Sequence, residues 1–175
     1  MRLTIAAVGR SRESPEQALT DLYIERARAI APKLGISKLE LVIVDTSRAA
    51  AADARMKEEA EKIGEKLPAG ALRIVLDEAG RTMTSEAFAK RLRQLTDSGT
   101  RDLVFIVGGP DGLSPLLREG AEDRLAFGPQ TWPHLLVRAM LAEQIYRAFA
   151  ILSGHPYHRA RGQTRPGRAN RAPLD

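Results

Sequence analysis

Three stretches of the chain hold residues whose types and spacing could do chemistry. The first is "FIVGGPDGL", Phe105 to Leu113, where an apolar run stops at two glycines followed by Pro110, Asp111 and Gly112. Glycines at the end of a buried strand let backbone amides approach a ligand closely. On that reading a side chain at Gly108 would occupy ligand space. The alternative is a tight Pro-Asp-Gly turn that binds nothing. The stretch fits neither G-x-G-x-x-G nor the Walker pattern, so a phosphate cradle is not indicated. The second stretch is "FGPQTWPHLL", Phe127 to Leu136, a Gly-Pro loop with Trp132 just before a helix start. It offers backbone amides and an aromatic wall to a flat heterocycle, or else Trp132 is a hydrophobic staple. In the third, Glu143 and Arg147 lie four apart on one helix face and can pair, which at a surface is worth little. The same helix leads into His155, Tyr157, His158 and Arg159. These combine an aromatic ring for stacking, a titratable imidazole and a guanidinium for phosphate.

Composition removes several chemistries. The 175-residue chain has no cysteine, so thiol nucleophiles, disulfides and thiolate metal sites are excluded, and with three histidines no metal site is expected. "MRLTIAAVG" is too brief for a secretory signal, and no window approaches the roughly eighteen apolar residues of a membrane span. A cytoplasmic protein without membrane attachment is therefore the expectation. The net charge is +5, and the stretch from His155 to Asp175 holds five arginines against one acid. A nearly neutral body with a basic tail suits a nucleic-acid partner, or equally a solvated end.

The elements that must position these residues follow from hydrophobic periodicity. Apolar runs at Leu3–Val8, Leu39–Val44, Leu72–Leu76 and Leu103–Val107, with a weaker one at Arg124–Gly128, read as strands covered on both faces. Between them Leu19, Leu22, Tyr23, Ala27 and Ile30 form one helical stripe. Met56, Ala60, Ile63 and Leu67 form a second, and Phe88, Leu92 and Leu95 a third. This alternation predicts a single α/β domain with a mostly parallel sheet. The last helix should open near Thr131, with Pro133 at its first position, and stop at Ser153 before Gly154. Ala142, Ile145, Phe149 and Leu152 form its apolar stripe. Beyond about Arg161 the Arg, Gly and Pro content predicts disorder.

Taken together, "FIVGGPDGLS", "TWPHLLVRAMLAEQIYRAFAI" and "HPYHR", in this order and spacing, resemble the RlmH (YbeA-like) family of ribosomal RNA large-subunit methyltransferases, a small branch of the SPOUT class. The similarity runs from Ala6 through Arg159. It implies a SPOUT-type α/β fold with a deep carboxyl-terminal trefoil knot, and a homodimer with its active site at the interface. It also implies methyl transfer from S-adenosyl-L-methionine to N3 of a pseudouridine in 23S ribosomal RNA, on the assembled ribosome. Carried over by residue, the cofactor site would comprise Leu76, Gly108 and Phe127, Gly128, Pro129, Gln130, Thr131 and Trp132. His158, Arg159 and Arg147 would serve catalysis, and Glu143, His155 and Tyr157 would meet the substrate. Residues 1–159 would form the methyltransferase domain, and 160–175 a basic extension with no counterpart in the family. Two rivals remain at this point: a ribosome-binding protein without catalysis, and an α/β enzyme acting on a free nucleotide.

Overall fold

The structure, a computed structural model, describes residues 1–9 and 13–158. Arg159 and the expected disorder beyond Arg161 lie outside the described residues. Five strands form one sheet: β1 (Arg2–Val8), β2 (Lys38–Val44), β3 (Leu72–Thr82), β4 (Asp102–Val107) and β5 (Asp123–Ala126). All pairings are parallel, in the order β2-β1-β4-β3-β5. Leu3, Ile5, Ala7, Leu103, Phe105 and Val107 enter one core with three helices: α1 (Pro15–Ile30), α3 (Ser85–Asp97) and α5 (His134–Ser153). Ala6, Val8, Val104 and Ile106 enter a second core with α2 (Ala52–Lys66) and α4 (Pro115–Glu119). Both faces of the central strands are thus buried, which is why their sequences run apolar without alternation.

The stripe expected on α1 is corrected. Leu19 and Leu22 are exposed, at 43% and 38%, and the buried face is Gln17, Thr20, Ile24, Ala27 and Ile30. Two polar residues sit inside because each is satisfied there. Gln17 Oε1 accepts from Arg138 Nη2 at 2.8 Å, and the Thr20 hydroxyl donates to the Glu16 carbonyl at 2.7 Å. On α3 the expected Phe88, Leu92 and Leu95 are buried. On α2, Ala60 and Ile63 are buried while Met56 and Leu67 are half-buried.

β3 runs six residues beyond the expected strand. Leu76 and Arg81 both pair with Leu125, so the residues between them bulge outward past the sheet's carboxyl edge. At Gly80 a Cβ would stand 2.8 Å from the backbone of Arg124 and Leu125, an approach only glycine allows. The opening of α5 also departs from expectation. Pro133 precedes the helix and His134 is its first residue, while the Thr131 hydroxyl donates to Glu78 Oε2 at 3.0 Å and does not cap it. The end is as expected, with Gly154 in the left-handed conformation at φ 69°.

α5 packs against α1 and α3, with Leu141, Ala142, Ile145, Ala148, Phe149 and Ala150 all buried. Phe149→Ala should therefore cost about 3–5 kcal/mol in urea denaturation. A loss below about 1 kcal/mol would contradict the helix's central place in the core.

Candidate active site

The strands deliver their carboxyl ends to one cavity of about 680 Å³, within the range of small-molecule sites. Its walls come from the end of β3, the loop after β4, the loop after β5 and the first turn of α5. Of the expected cofactor residues, Leu76, Gly108, Phe127, Gly128, Gln130, Thr131 and Trp132 line it, and Pro129 does not. Of the two readings of "GGPDG", the structure shows the tight turn. Gly109 to Gly112 close a tight turn, Gly112 N donating to Gly109 O at 3.0 Å with Gly112 at φ 90°, and that turn forms the cavity wall.

The reason for glycine at Gly108 differs from the one the sequence suggests. A Cβ there would meet the Gly112 carbonyl oxygen at 2.6 Å, so the position is closed by the loop's own backbone before any ligand arrives. A Cβ at Gly109 would meet Val8 Cγ1 at 2.8 Å. The turn is held from outside by a two-point ion pair, Arg55 Nε to Asp111 Oδ2 at 2.7 Å and Nη2 to Oδ1 at 2.9 Å. The same guanidinium donates to the carbonyls of Ala49 and Ala50. The hydrogen bond and charge of Arg55 hold the Asp111 carboxyl below its ordinary range.

Charged residues of the wall were not legible in the sequence. Asp77 and Glu78 enter through the β3 bulge, and Arg118 through the short helix α4. His134 also lines the cavity, and burial, reinforced by the Arg138 charge, lowers its pKa and keeps the imidazole neutral. Arg138, one turn further along α5, is almost fully buried against Gln17.

The expected catalytic and substrate residues gather elsewhere. Glu143 Oε1 takes the Arg147 guanidinium as an ion pair and accepts the Tyr157 hydroxyl at 2.9 Å. Arg147 stands over the Tyr157 ring at 4.9 Å, and Tyr157 packs on Tyr146 with centroids 4.5 Å apart. Bonding to Glu143 holds Arg147 firmly cationic. Burial, with hydrogen bonding to Tyr23 and to the accepting Glu143 carboxylate, pushes the Tyr157 phenol well above its ordinary value, so it stays protonated. His158 Nε2 lies 3.0 Å from Glu86 Oε1 at the start of α3, and exposed His155 stands edge-on to Tyr146. None of Glu143, Arg147, His155, Tyr157 and His158 lines the cavity. Among the described residues no group of metal-ligating side chains occurs, and no helix is long and apolar enough to cross a membrane.

A parallel sheet whose glycine loop and post-β5 loop enclose one cavity is matched by a family model described as "Predicted SPOUT methyltransferase", over residues 1–158. The chain belongs to the SPOUT methyltransferases. Two curated relatives of this SPOUT methyltransferase carry the name "Ribosomal RNA large subunit methyltransferase H". The protein from Bradyrhizobium diazoefficiens is 47% identical over 160 residues, covering 91% of this chain and 100% of its own. The protein from Hyphomonas neptunium is 50% identical over the same shares. Among solved structures, a probable methyltransferase from Bordetella pertussis is similar with a TM-score of 0.44 at 16% identity, over 84% of this chain and 95% of that one.

Two outcomes follow for the SPOUT methyltransferase's glycine loop. Gly108→Ala should lower the melting temperature and weaken cofactor binding together, because the loop must open to admit the methyl group; loss of binding with unchanged melting would restore the ligand-space reading. The Asp111 carboxyl is depressed in the folded state, so its stabilisation of the turn is complete above the ordinary carboxylate value, near 3.9, and is lost as pH falls through the lower folded value. Exchange of the Gly112 amide, which the turn holds on the Gly109 carbonyl, should accelerate relative to its intrinsic rate over that acid window in the wild type. In Asp111→Asn it should already be fast at neutral pH.

Proposed function

We propose that this chain transfers the methyl group of S-adenosyl-L-methionine to N3 of a pseudouridine in 23S ribosomal RNA, acting in the cytoplasm on the assembled ribosome as a homodimer. The observation that carries the reading is the cavity itself. It is lined by glycine-loop backbone, apolar side chains and Trp132, and holds three carboxylates (Asp77, Glu78, Asp111) against one arginine. That wall fits a flat heterocycle joined to a cationic sulfonium and suits a triphosphate poorly. The names of the curated relatives support the RNA substrate.

Bound S-adenosyl-L-methionine supplies an electrophilic methyl group, and catalysis rests on aligning the nucleophile with it. Leu76, Gly108 and the 127–132 loop would hold the adenosine part. N3 of pseudouridine must shed its proton, and the resulting imide anion needs a cation beside it. Arg147, kept charged and oriented by Glu143, is suited to that role, as is Arg159, next to His158 in sequence. Tyr157 stays protonated, so it positions and stacks and is no base. His158 is the remaining titratable candidate.

These groups sit away from the cavity of their own chain, which supports completion of the site by a second copy. From His134 to Glu143 the helix rises roughly 14 Å, at about 1.5 Å per residue. Exposed Leu19 and Leu22 on α1 and half-exposed Leu136 and Met140 on α5, the helix packed against it, offer apolar surface for that partner. Residues 1–159 would form the knotted methyltransferase domain, while Arg161, Arg165, Arg168 and Arg171 of the extension would add phosphate contacts.

The test is mass spectrometry of ribosomal RNA after incubating ribosomes with enzyme and labelled cofactor. One methyl on N3 of a pseudouridine is expected on ribosomes, with none on free nucleosides; methylation of free nucleosides would favour the free-nucleotide enzyme. Tyr157→Phe removes the bond to Glu143 and should lower single-turnover methylation by about tenfold, the scale of one lost charge-linked hydrogen bond, while leaving cofactor affinity within about twofold. Equal loss of both would show that Tyr157 supports the cofactor pocket instead.

A further inference from the structure

We propose that Arg118 is the anchor for the carboxylate at the methionine end of the cofactor, held ready for it by Asp77. The inference rests on the reading that the cavity takes S-adenosyl-L-methionine. That molecule has one anionic group, its α-carboxylate, alongside a sulfonium and an ammonium. A site that distinguishes it from other adenosyl compounds needs one well-placed cation among acids. Arg118 is the one arginine among the cavity's lining residues, which contain no lysine, and the only other basic residue there, His134, is kept neutral by its surroundings.

The geometry prepares it for this role. Asp77, with its side chain only 7% exposed, places Oδ2 2.8 Å from Arg118 Nε. That approach is not aligned as a hydrogen bond, so it acts as a Coulombic tether. No hydrogen bond from either terminal nitrogen of Arg118 is present among the described residues. Nη2 reaches the glycine loop, 3.6 Å from where a Cβ on Gly112 would stand. The guanidinium therefore bridges the rim from the β3 bulge to the glycine turn, and its side chain is 43% exposed, open to a ligand. The nearby acids leave it this function. Asp111 is taken by Arg55, and Glu78 accepts the Thr131 hydroxyl. A guanidinium presenting its terminal nitrogens is also the group best shaped for a carboxylate.

The experiment is isothermal titration of wild-type and Arg118→Gln protein with S-adenosyl-L-methionine and with its decarboxylated analogue, which keeps the adenosine, sulfonium and ammonium. The quantity read is the ratio of the two affinities, and general damage to the fold cancels from it. In wild type the carboxylate-bearing molecule should bind about tenfold or more tightly relative to the analogue than it does in Arg118→Gln, as expected for one charge-assisted contact. The same ratio measured in wild type should shrink as salt is raised. An equal ratio in the two proteins would overturn the assignment, as would a wild type indifferent to loss of the carboxylate. Failure of wild type to bind either compound would instead overturn the cofactor reading on which it rests.

Discussion

The structure depends on one helix that is nearly all core. α5 is wedged between α1, α3 and the sheet, with nine of its twenty residues buried and only Ser153 exposed. A helix held so firmly behaves as a rigid rod of roughly 30 Å, at about 1.5 Å per residue over 20 residues. Its first turn, with His134 and Val137, walls the cavity. Its later turns carry Glu143 and Arg147, and its end releases the segment that folds back as Tyr157 and His158. Burial thus sets how far the cofactor pocket lies from the cluster suited to handling RNA. Because neither end can shift without emptying the core, the proposal draws the two halves of the site from different copies.

The opposite wall depends on backbone packed against backbone. Gly108 and Gly109 let the loop after β4 fold onto its own backbone and onto the Val8 side chain at distances that leave no room for a Cβ, and Gly112 supplies a φ of 90°. The Arg55–Asp111 pair ties this turn to α2 on the other face of the sheet. Both helical layers therefore contribute to the cavity, α5 by packing and α2 by an ion pair.

Much of this was legible in the sequence because strand burial and helix periodicity are strong, local signals. β1, β2, β4, the start of β3, the α3 stripe and the Gly154 stop stand where the pattern puts them. The α1 stripe was misread because Leu19 and Leu22 look like core, whereas Gln17 and Thr20 hold the buried positions through hydrogen bonds made after folding. The extension of β3 was hidden because Asp77 to Thr82 carries charge and a glycine, and only pairing with β5 makes it a strand. Arg118 was invisible for a related reason: α4 has five residues, too few for any period. The glycine loop does line the cavity, but what excludes a side chain at Gly108 is the loop's own Gly112 backbone, a contact that exists only after folding.

The central claim is that the cavity of one copy works with the terminal segment of another. It is tested most directly by subunit mixing. A cavity-defective protein, Gly128→Val, whose side chain would be forced into a φ of 113° against Gln130, is unfolded and refolded together with a protein truncated after Gly154. Each alone should be inactive. Mixed in equal amounts they should recover roughly a quarter of wild-type methylation, since half the dimers are mixed and each mixed dimer has one intact site. Absence of any recovery, with mixed dimers shown to form, would place pocket and terminal segment in the same chain and contradict the account.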